Sequence, residues 1–459
     1  MAVISFNSIA GFEVSAAIRK ARAVGVPINF RLRGQELAYI MQDSGARAVC
    51  AGPEFVEHVD VARKHLEGDE PAFIALGDAA TKQGWVRMEE LAASQRADPP
   101  DTAEDNATGA AMIYTSGTTG NPKGAYRPAG VSLESVLQVI QMFGLRSDDV
   151  HLMAGPGYHS AVAAFCGLTG ICGGTVVIMP KFDAESALAL IESHRVTTTF
   201  MAPTLLHRIM DVPEQTRARC DVSSMRALIL GAAPCPYSLK ERAITYFGEV
   251  LFEFYGATET GFNLVLRPED QLRKPGSAGK PPDGNAILLL DNDGSPVPDG
   301  KPGELWVRSP WLAEYYNKPQ ATARSMRDGF FSVGDVAYRD EDGYYYICDR
   351  KIDMIISGGV NVYPAEVEAC LHAHPAVRDV AVIGVPDESW GESVKAVVVL
   401  QPGASAAEQE LLDWCRGRIA DYKRPRSVDL TDDLPRDEAG KLLKRRIRDP
   451  YWAEAERRI

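Results

Sequence analysis

The residues with the clearest chemical potential lie in one string, YTSGTTGNPKG, at positions 114–124. Its glycines let backbone N–H groups approach a ligand closely, its hydroxyl side chains can contact phosphate oxygens, and Lys123 adds a point charge. Pro122 and Gly124 stand where a Walker A loop needs a glycine and a hydroxyl residue, so the loop is of another kind. The string predicts phosphate binding by Thr115, Ser116, Gly117, Thr118, Thr119, Gly120 and Lys123.

Carboxylates and a lysine occur in short strings farther along the chain. Residues 255–260 read YGATET, in which Glu259 offers the carboxylate oxygens that Mg²⁺ accepts together with phosphate oxygens. Asp335 follows a glycine in FFSVGD, and Lys441 follows a glycine in LPRDEAGK. Taken alone, each string is also explained by a structural turn or by a solvated lysine.

The elements that position these strings follow an α/β rhythm, in which short apolar runs alternate with amphipathic stretches. Strands are predicted at 176–179, 197–201 and 227–230, and helices at 184–194, 204–210 and 239–247. This alternation predicts layered α/β subdomains with much parallel sheet. The uncharged stretch 160–180 is interrupted by glycines, which favours a buried helix, a glycine turn and a buried strand over a membrane span.

The pattern of predicted secondary structure changes twice in the second half of the chain. From about residue 285, short strands at 286–290 and 303–307 alternate with Gly, Pro and Asp turns, which predicts a β-rich subdomain. After about residue 352, strand-like runs at 355–357, 377–385 and 394–400 surround a helix at 364–372, and a second helix is predicted at 406–419. This pattern predicts a small α+β C-terminal domain.

Composition limits the classes of partner. The chain has 459 residues and a formal net charge of −13, which argues against a nucleic-acid-binding protein. The eight cysteines form no CxxC pair, so we expect reduced thiols of a cytoplasmic protein and neither a zinc site nor a disulfide framework. A basic segment at 416–448, with 11 Lys and Arg against 6 Asp and Glu, is what a phosphate-rich ligand would require.

The ordered strings resemble the signatures of the adenylate-forming superfamily, which includes acyl-CoA synthetases, firefly luciferase and the adenylation domains of peptide synthetases. The resemblance implies that Tyr255 stacks on adenine, that Thr258 contacts the α-phosphate and that Glu259 helps to hold Mg²⁺. It further assigns ribose hydroxyls to Asp335 and Arg350, and the acid to His159 with Phe262 and Asn263 beside it. The remaining nucleotide residues that it implies are Gly231, Ala232, Ala233, Pro234 and Gly256.

The same resemblance gives roles to the C-terminal residues. Lys441 bridges the attacking carboxylate and the α-phosphate, which offsets negative charge in the transition state. Gly358 and Gly359 line a pantetheine tunnel, and Arg424 and Arg426 meet the phosphates of CoA. The implied domains are 1–349, a hinge at 350–353, and a mobile C-terminal domain at 354–459. Ile352 departs from the Asp or Lys common at the family's hinge, so either the hinge lies one residue away, at Lys351 or Asp353, or domain rotation is tuned differently in this chain.

The implied function is an ATP-dependent, AMP-forming acyl-CoA synthetase that uses ATP, Mg²⁺, CoA and a hydrophobic carboxylic acid. Two alternatives stay open: an enzyme that loads a carrier-protein thiol, and a non-catalytic degenerate homologue. The string at 6–8 matches a point well inside the family's N-terminal domain, so we expect the first subdomain to be incomplete. No nucleic acid and no integral membrane span are expected, and a homodimer is compatible with the resemblance.

Overall fold

The computed structural model describes residues 1–77, 82–95, 110–115, 122–128, 130–350, 353–357, 360–387, 390–436 and 440–456. Within these ranges the chain forms a large N-terminal α/β domain and a smaller C-terminal domain, which confirms the predicted fold class. Five sheets carry the architecture.

The first sheet is entirely parallel and has the strand order β2-β1-β3-β4-β5. Its elements are β1 Ala2–Ile4, α1 Ile9–Lys20, β2 Val26–Pro27, α2 Gly34–Asp43, β3 Ala48–Ala51, α3 Val56–Arg63, β4 Ala72–Ala75, β5 Trp85–Arg87 and α4 Met88–Ser94. The α1 helix begins after Ser8, whose hydroxyl accepts a hydrogen bond from the Gly11 N–H at 3.0 Å. One core cluster, which includes Ile4, Leu37 and Phe55, holds this sheet and its helices together.

A second sheet has the order β13-β12-β11-β10-β8-β9, and only its β12–β13 pair is antiparallel. Two strands that precede this sheet in the chain, β6 Met112–Thr115 and β7 Lys123–Tyr126, belong to another sheet. The elements of the second sheet and its helices are α5 Leu133–Phe143, β8 Val150–Met153, α6 Ser160–Cys172, β9 Thr175–Ile178, α7 Ala184–Ser193, β10 Thr198–Met201, α8 Pro203–Asp211, α9 Glu214–Arg217, β11 Ala227–Leu230, α10 Tyr237–Phe247, β12 Leu251–Ala257 and β13 Gly261–Leu266. Alternate residues of β11 enter two different core clusters, so both faces of this sheet are covered by helices.

The uncharged stretch 160–180 folds as a helix, a glycine turn and a strand. Gly173 ends α6 in the left-handed region with φ 89°, a conformation that glycine adopts without strain. The strand prediction was wrong in one respect, because β9 is an edge strand and is only partly buried. None of the helices in the described ranges has the length and apolar character needed to cross a membrane.

Two further sheets complete the large domain. Strands β6 and β7 pair with β16 in the order β16-β7-β6, and the β-rich sheet has the order β17-β18-β15-β19-β20 with β14 paired to β15. The remaining elements here are β14 Ala286–Leu290, β15 Gly303–Arg308, β16 Glu314–Tyr315, α11 Pro319–Ser325, β17 Met326–Arg327, β18 Phe330–Phe331, β19 Asp335–Arg339 and β20 Tyr345–Arg350. The structure therefore contains the β-rich subdomain predicted after residue 285.

The C-terminal domain is a sheet with helices on both faces. Its elements are β21 Ile355–Ser357, β22 Val360–Val362, α12 Pro364–His372, β23 Val377–Asp387, β24 Gly391–Leu400, α13 Glu408–Trp414, β25 Ser427–Leu430 and α14 Lys444–Glu456. Alternate residues of β23 and β24 enter two core clusters. The helix predicted at 406–419 was too long: α13 ends at Trp414, and Gly417 adopts φ 73°, which an α-helix cannot accommodate.

Candidate active site

A cavity of 1720 Å³ lies where the sheets of the large domain meet the turn that carries Lys441. The predicted site residues that line it are Thr115, Lys123, His159, Ala232, Gly256, Thr258, Glu259, Asp335 and Lys441. Residues Ser116, Gly117, Thr118, Thr119, Gly120, Gly358 and Gly359, the side chain of Arg350, and residues 351–352 of the proposed hinge lie outside what the structure describes. Motifs that are far apart in the sequence thus meet in one space.

Glu259 is held by two hydroxyl donors from the small three-stranded sheet. Its Oε1 accepts hydrogen bonds from Thr115 Oγ1 at 2.9 Å and from the Tyr315 hydroxyl at 3.0 Å. Burial raises the pKa of Tyr315, so this hydroxyl keeps its proton and remains a donor. The backbone carbonyl of Glu259 accepts from the Ala313 N–H at 2.7 Å. Glu259 is 7% exposed, and these hydrogen bonds fix the orientation of its carboxylate at the cavity that the residue lines.

The turn that presents Thr258 and Glu259 depends on two glycines. A β-bulge interrupts the β12–β13 pair between Tyr255 and Gly256. A Cβ on Gly256 would lie 2.0 Å from the Gly261 carbonyl oxygen, so only glycine fits there. Gly261 adopts φ 73° and packs against Trp311. These constraints fix the path of the chain on either side of Glu259.

Arg127 is a site residue that the sequence analysis missed. Its Nε donates to the Trp311 carbonyl at 2.6 Å and its Nη2 donates to the Thr258 carbonyl at 2.5 Å. Burial lowers the pKa of Arg127 to about 10, and the charge of Glu259 partly opposes this shift. The guanidinium therefore stays cationic at neutral pH while it lines the cavity. The only sequence signal was an arginine placed directly after the β7 strand.

Asp335 and Ala232, which lies in the loop after β11, line the side of the cavity assigned to the nucleoside. The Tyr255 hydroxyl donates to Asp335 Oδ2, and Asp335 is paired with Arg350 across the β19–β20 ladder. Ala232 adopts φ 71°, a left-handed conformation that is strained for a residue with a side chain. Gly231, Ala233, Pro234 and Tyr255 are not among the residues that line the cavity.

The side assigned to the acid is apolar. His159 precedes α6 and stacks on Phe200 with ring centroids 6.1 Å apart, while Phe262 and Trp311 meet edge to face at 5.6 Å. The alanine and glycine residues of α6 that line the cavity are Ala161, Ala163, Ala164, Gly167 and Gly170. Asn263 does not face the cavity as predicted, because it is fully buried and donates to Thr260 Oγ1 at 2.8 Å. Its place on the pleat directs it to the other side from Phe262.

The C-terminal domain reaches the cavity through one turn. Lys441 lines the cavity, and Gly440 packs against Thr204 of α8. The basic residues predicted to meet CoA do not line it: Arg424 pairs with Asp421 at 3.2 Å, and the Arg426 guanidinium lies 4.6 Å from the centroid of the Trp390 ring. The structure thus brings Lys441 together with Thr258, Glu259 and Asp335 at one cavity and leaves Arg424 and Arg426 outside it.

Glu259 provides the candidate contact for a divalent cation. No group of three or more His, Cys, Asp or Glu side chains arranged for a metal occurs in the described part of the chain. One buried carboxylate beside a threonine hydroxyl and a phosphate-binding string fits an Mg²⁺ ion that keeps most of its coordination for phosphate oxygens and water.

Comparisons with known proteins agree along the whole chain. Residues 1–317 match the family described as AMP-binding enzyme, and residues 366–441 match the AMP-binding enzyme C-terminal domain. Feruloyl-CoA synthase from Amycolatopsis sp is 40% identical over 451 residues, which cover 98% of this chain and 88% of the relative. The fatty acid–[acyl-carrier-protein] ligase ScoC from Streptomyces coeruleorubidus is 33% identical over 460 residues, which cover 98% of this chain and 86% of the relative.

The fold is also similar to that of solved structures. ATP-bound MatB from Rhodopseudomonas palustris superposes with a TM-score of 0.85 at 31% identity. The match covers 98% of this chain and 88% of that chain. Both domains are therefore part of the similarity.

Proposed function

Because the chain belongs to the AMP-binding enzyme family, we propose that it is an ATP-dependent, AMP-forming acyl-CoA synthetase that activates a hydrophobic carboxylic acid. The observation that carries this proposal is the convergence of Thr115, Glu259 and Lys441 on one cavity. This convergence also argues against a degenerate homologue, because the chemical groups are retained in a usable arrangement.

In the first half-reaction the carboxylate of the acid attacks the α-phosphorus of ATP, which gives acyl-AMP and releases pyrophosphate. Thr258 contacts the α-phosphate, Asp335 accepts hydrogen bonds from the ribose hydroxyls, and Arg350 makes a second contact with the ribose. Lys441 brings a positive charge to the place where negative charge builds up in the transition state, and fixed charges of this kind stabilise it without reorganisation. Mg²⁺, held by Glu259, would neutralise the charge of the phosphates.

In the second half-reaction a thiol attacks the acyl-AMP carbonyl and AMP leaves. We propose that the C-terminal domain rotates about residues 350–353, which removes Lys441 and brings Gly358 and Gly359 to the cavity. The position of Arg424 and Arg426 away from the cavity agrees with such a rotation, because the described arrangement is then that of the first step.

The nature of the acid is proposed from the cavity wall. His159, Phe262, Trp311 and the small residues of α6 form a largely apolar part of the cavity wall, which suits an aryl or fatty acid. Pyrophosphate release measured with a panel of aryl, medium-chain and long-chain acids tests this assignment. Release with none of these acids would contradict it.

A second candidate acceptor is a carrier-protein thiol, which the similarity to ScoC favours. The basic segment at 416–448 favours CoA, because its Lys and Arg residues suit the nucleotide phosphates of that thiol. AMP release should be compared with free CoA and with a phosphopantetheinylated carrier protein as acceptors. Faster AMP release with the carrier protein would make the carrier-protein thiol, and not CoA, the proposed acceptor.

The Lys441→Ala variant tests the division into two steps. It should abolish ATP–pyrophosphate exchange and largely spare thioester formation from supplied acyl-AMP. Equal loss of both half-reactions would contradict the role given to Lys441.

A further inference from the structure

The turn that carries Lys441 is closed by backbone pairing at its base. Arg436 and Leu442 form an antiparallel bridge, and the Leu443 N–H donates to the Pro435 carbonyl at 2.8 Å. Leu434, just before the turn, is 3% exposed in the core of the C-terminal domain. The base of the turn is therefore anchored, whereas Lys441 lies beyond it.

Arg436 connects this turn to β23, the strand at the edge of the C-terminal sheet. Its Nη2 donates to Asp379 Oδ1 at 2.8 Å and to Oδ2 at 2.7 Å, and its Nε lies 3.3 Å from Oδ2. Its Nη1 donates to the Gly440 carbonyl at 2.7 Å. Side-chain exposure of 27% for Arg436 and 21% for Asp379 means that water screens this pair only partly.

The carbonyl that Arg436 holds belongs to the peptide bond between Gly440 and Lys441. Fixing that peptide plane fixes the direction in which the Lys441 side chain leaves the backbone. Gly440 adopts φ 81° and packs on its other side against Thr204 of the large domain. The peptide before Lys441 is therefore constrained from both domains, and Arg436 supplies the constraint from the C-terminal domain.

We propose that Arg436 and Asp379 form a positioning pair for Lys441, which sets where its ammonium group lies during acyl-adenylate formation. This inference rests on the proposed function. Neither side chain lines the cavity, so the pair acts through the Gly440–Lys441 peptide and contacts no substrate. Arginine suits this task because its rigid planar fork presents donors to a carboxylate and to a carbonyl in fixed directions, whereas the lysine ammonium is a compact point charge on a flexible stem.

The two half-reactions separate this role from a structural one. Lys441 acts in the first half-reaction only, so loss of its positioning should reduce acyl-adenylate formation and leave the second half-reaction unchanged. A residue that merely stabilises the C-terminal domain would affect both, since the same domain is proposed to provide the pantetheine tunnel.

The test uses the full chain with Arg436→Gln, Arg436→Lys and Asp379→Ala. ATP–pyrophosphate exchange measures the first half-reaction, and thioester formation from supplied acyl-AMP and CoA measures the second. We expect Arg436→Gln to lower kcat of exchange about 10- to 100-fold, as misplacement of a catalytic group does, with KM for ATP unchanged. Arg436→Lys keeps the charge but not the fork, and should give an intermediate loss.

The neighbouring Arg378 offers a matched control. It lies beside Asp379 on the same strand and donates to the Asp432 carbonyl at 3.0 Å. Arg378→Gln should leave both half-reactions unchanged. The double variant Arg436→Gln with Asp379→Ala should be no slower than Arg436→Gln alone, because the pair acts as one unit.

Four results would decide against the inference or its basis. Normal exchange in Arg436→Gln overturns the positioning role, and so does an equal loss in both half-reactions. If Arg436→Gln fails to fold, the Arg436→Lys variant is compared in the same two assays, and equal losses there overturn the inference. Lys441→Ala is measured alongside: if it retains exchange, the proposed function is at fault, whereas loss in Lys441→Ala with normal exchange in Arg436→Gln refutes only the positioning pair.

Discussion

Replacing Gly440 with alanine tests how the Lys441 turn meets the large domain. A Cβ at this position would lie 2.4 Å from Oγ1, 3.1 Å from Cγ2 and 3.3 Å from Cβ of Thr204. The first distance is far below van der Waals contact, so one of the two segments must move. The backbone φ of 81° adds a second cost, because a residue with a side chain is strained in the left-handed region.

The two costs act on different states of the molecule. Left-handed strain of about 1–2 kcal/mol belongs to the turn itself and is present wherever the C-terminal domain lies. Overlap with Thr204 of about 1–3 kcal/mol, typical of overpacking, exists only while Gly440 faces α8. If that arrangement is the one in which Lys441 acts, the overlap should slow acyl-adenylate formation by roughly 5- to 150-fold.

The assay combines Gly440→Ala with Thr204→Ala. The second substitution removes the atoms at 2.4 Å and 3.1 Å, so exchange in the double variant should recover most of the loss that overlap causes. Thioester formation from supplied acyl-AMP should not respond to Thr204→Ala in either background. Exchange that is equally slow with and without Thr204 would refute the reasoning, and so would an equal loss in both half-reactions.

Three further predictions concern groups elsewhere in the structure. Glu259→Gln should raise the Mg²⁺ concentration needed for half-maximal pyrophosphate exchange at least about tenfold, because a neutral amide binds the cation poorly; an unchanged Mg²⁺ requirement would remove Glu259 from the proposed metal contact. Arg127→Met leaves the Thr258 and Trp311 carbonyls without their donor and should lower the free energy of unfolding in urea by about 2–4 kcal/mol; a variant as stable as the parent would contradict the bridging role. A hydrogen bond with the Cys415 thiol and the nearby charge of Arg418 lower the pKa of the partly exposed Cys370 to about 7, so its alkylation by iodoacetamide should become faster as pH rises through about 7 and then level off. Burial raises the pKa of Cys166 to about 12 and should keep that thiol unreactive. A rate of Cys370 labelling that continues to rise to pH 9 would contradict the lowered pKa.

Periodicity predicted most of the elements because burial in this fold is periodic. The strands at 227–230 and 286–290 and the helix at 364–372 have the predicted bounds. Errors arose where local pattern and tertiary placement disagree. The strand after Gly173 is apolar enough for a central position, yet it lies at the sheet edge. The hydropathy of a strand does not determine its place in the strand order. The helix after residue 406 was predicted to run through Gly417, but it ends at Trp414, and Gly417 has a left-handed backbone beyond that end.

The candidate site was predictable where chemistry is concentrated in one string and not where it depends on long-range contact. Glu259 and Lys441 are recognisable because each lies in a short, distinctive sequence. Arg127, Trp311 and Tyr315 are not, because each takes its role from a partner more than 50 residues away in the chain. Asn263 was placed at the site although it does not line it. Successive side chains of a strand point to opposite faces, so the side chain of Asn263 points away from the face that Phe262 presents to the cavity.

The small three-stranded sheet links the phosphate-binding string to Glu259. Thr115 pairs with Lys123 across β6 and β7, so the string's two ends are fixed to each other, and Tyr315 pairs with Ala125 on the other side of β7. The two hydroxyls that hold Glu259 thus come from the two outer strands of one sheet, while the Lys123 ammonium lies 5.0 Å from the centroid of the Tyr315 ring. The positions of the two ends of the string relative to the carboxylate are therefore set by backbone pairing. It follows that a substitution that loosens the β7–β16 pair should disturb the proposed Mg²⁺ contact as directly as a change in the string itself.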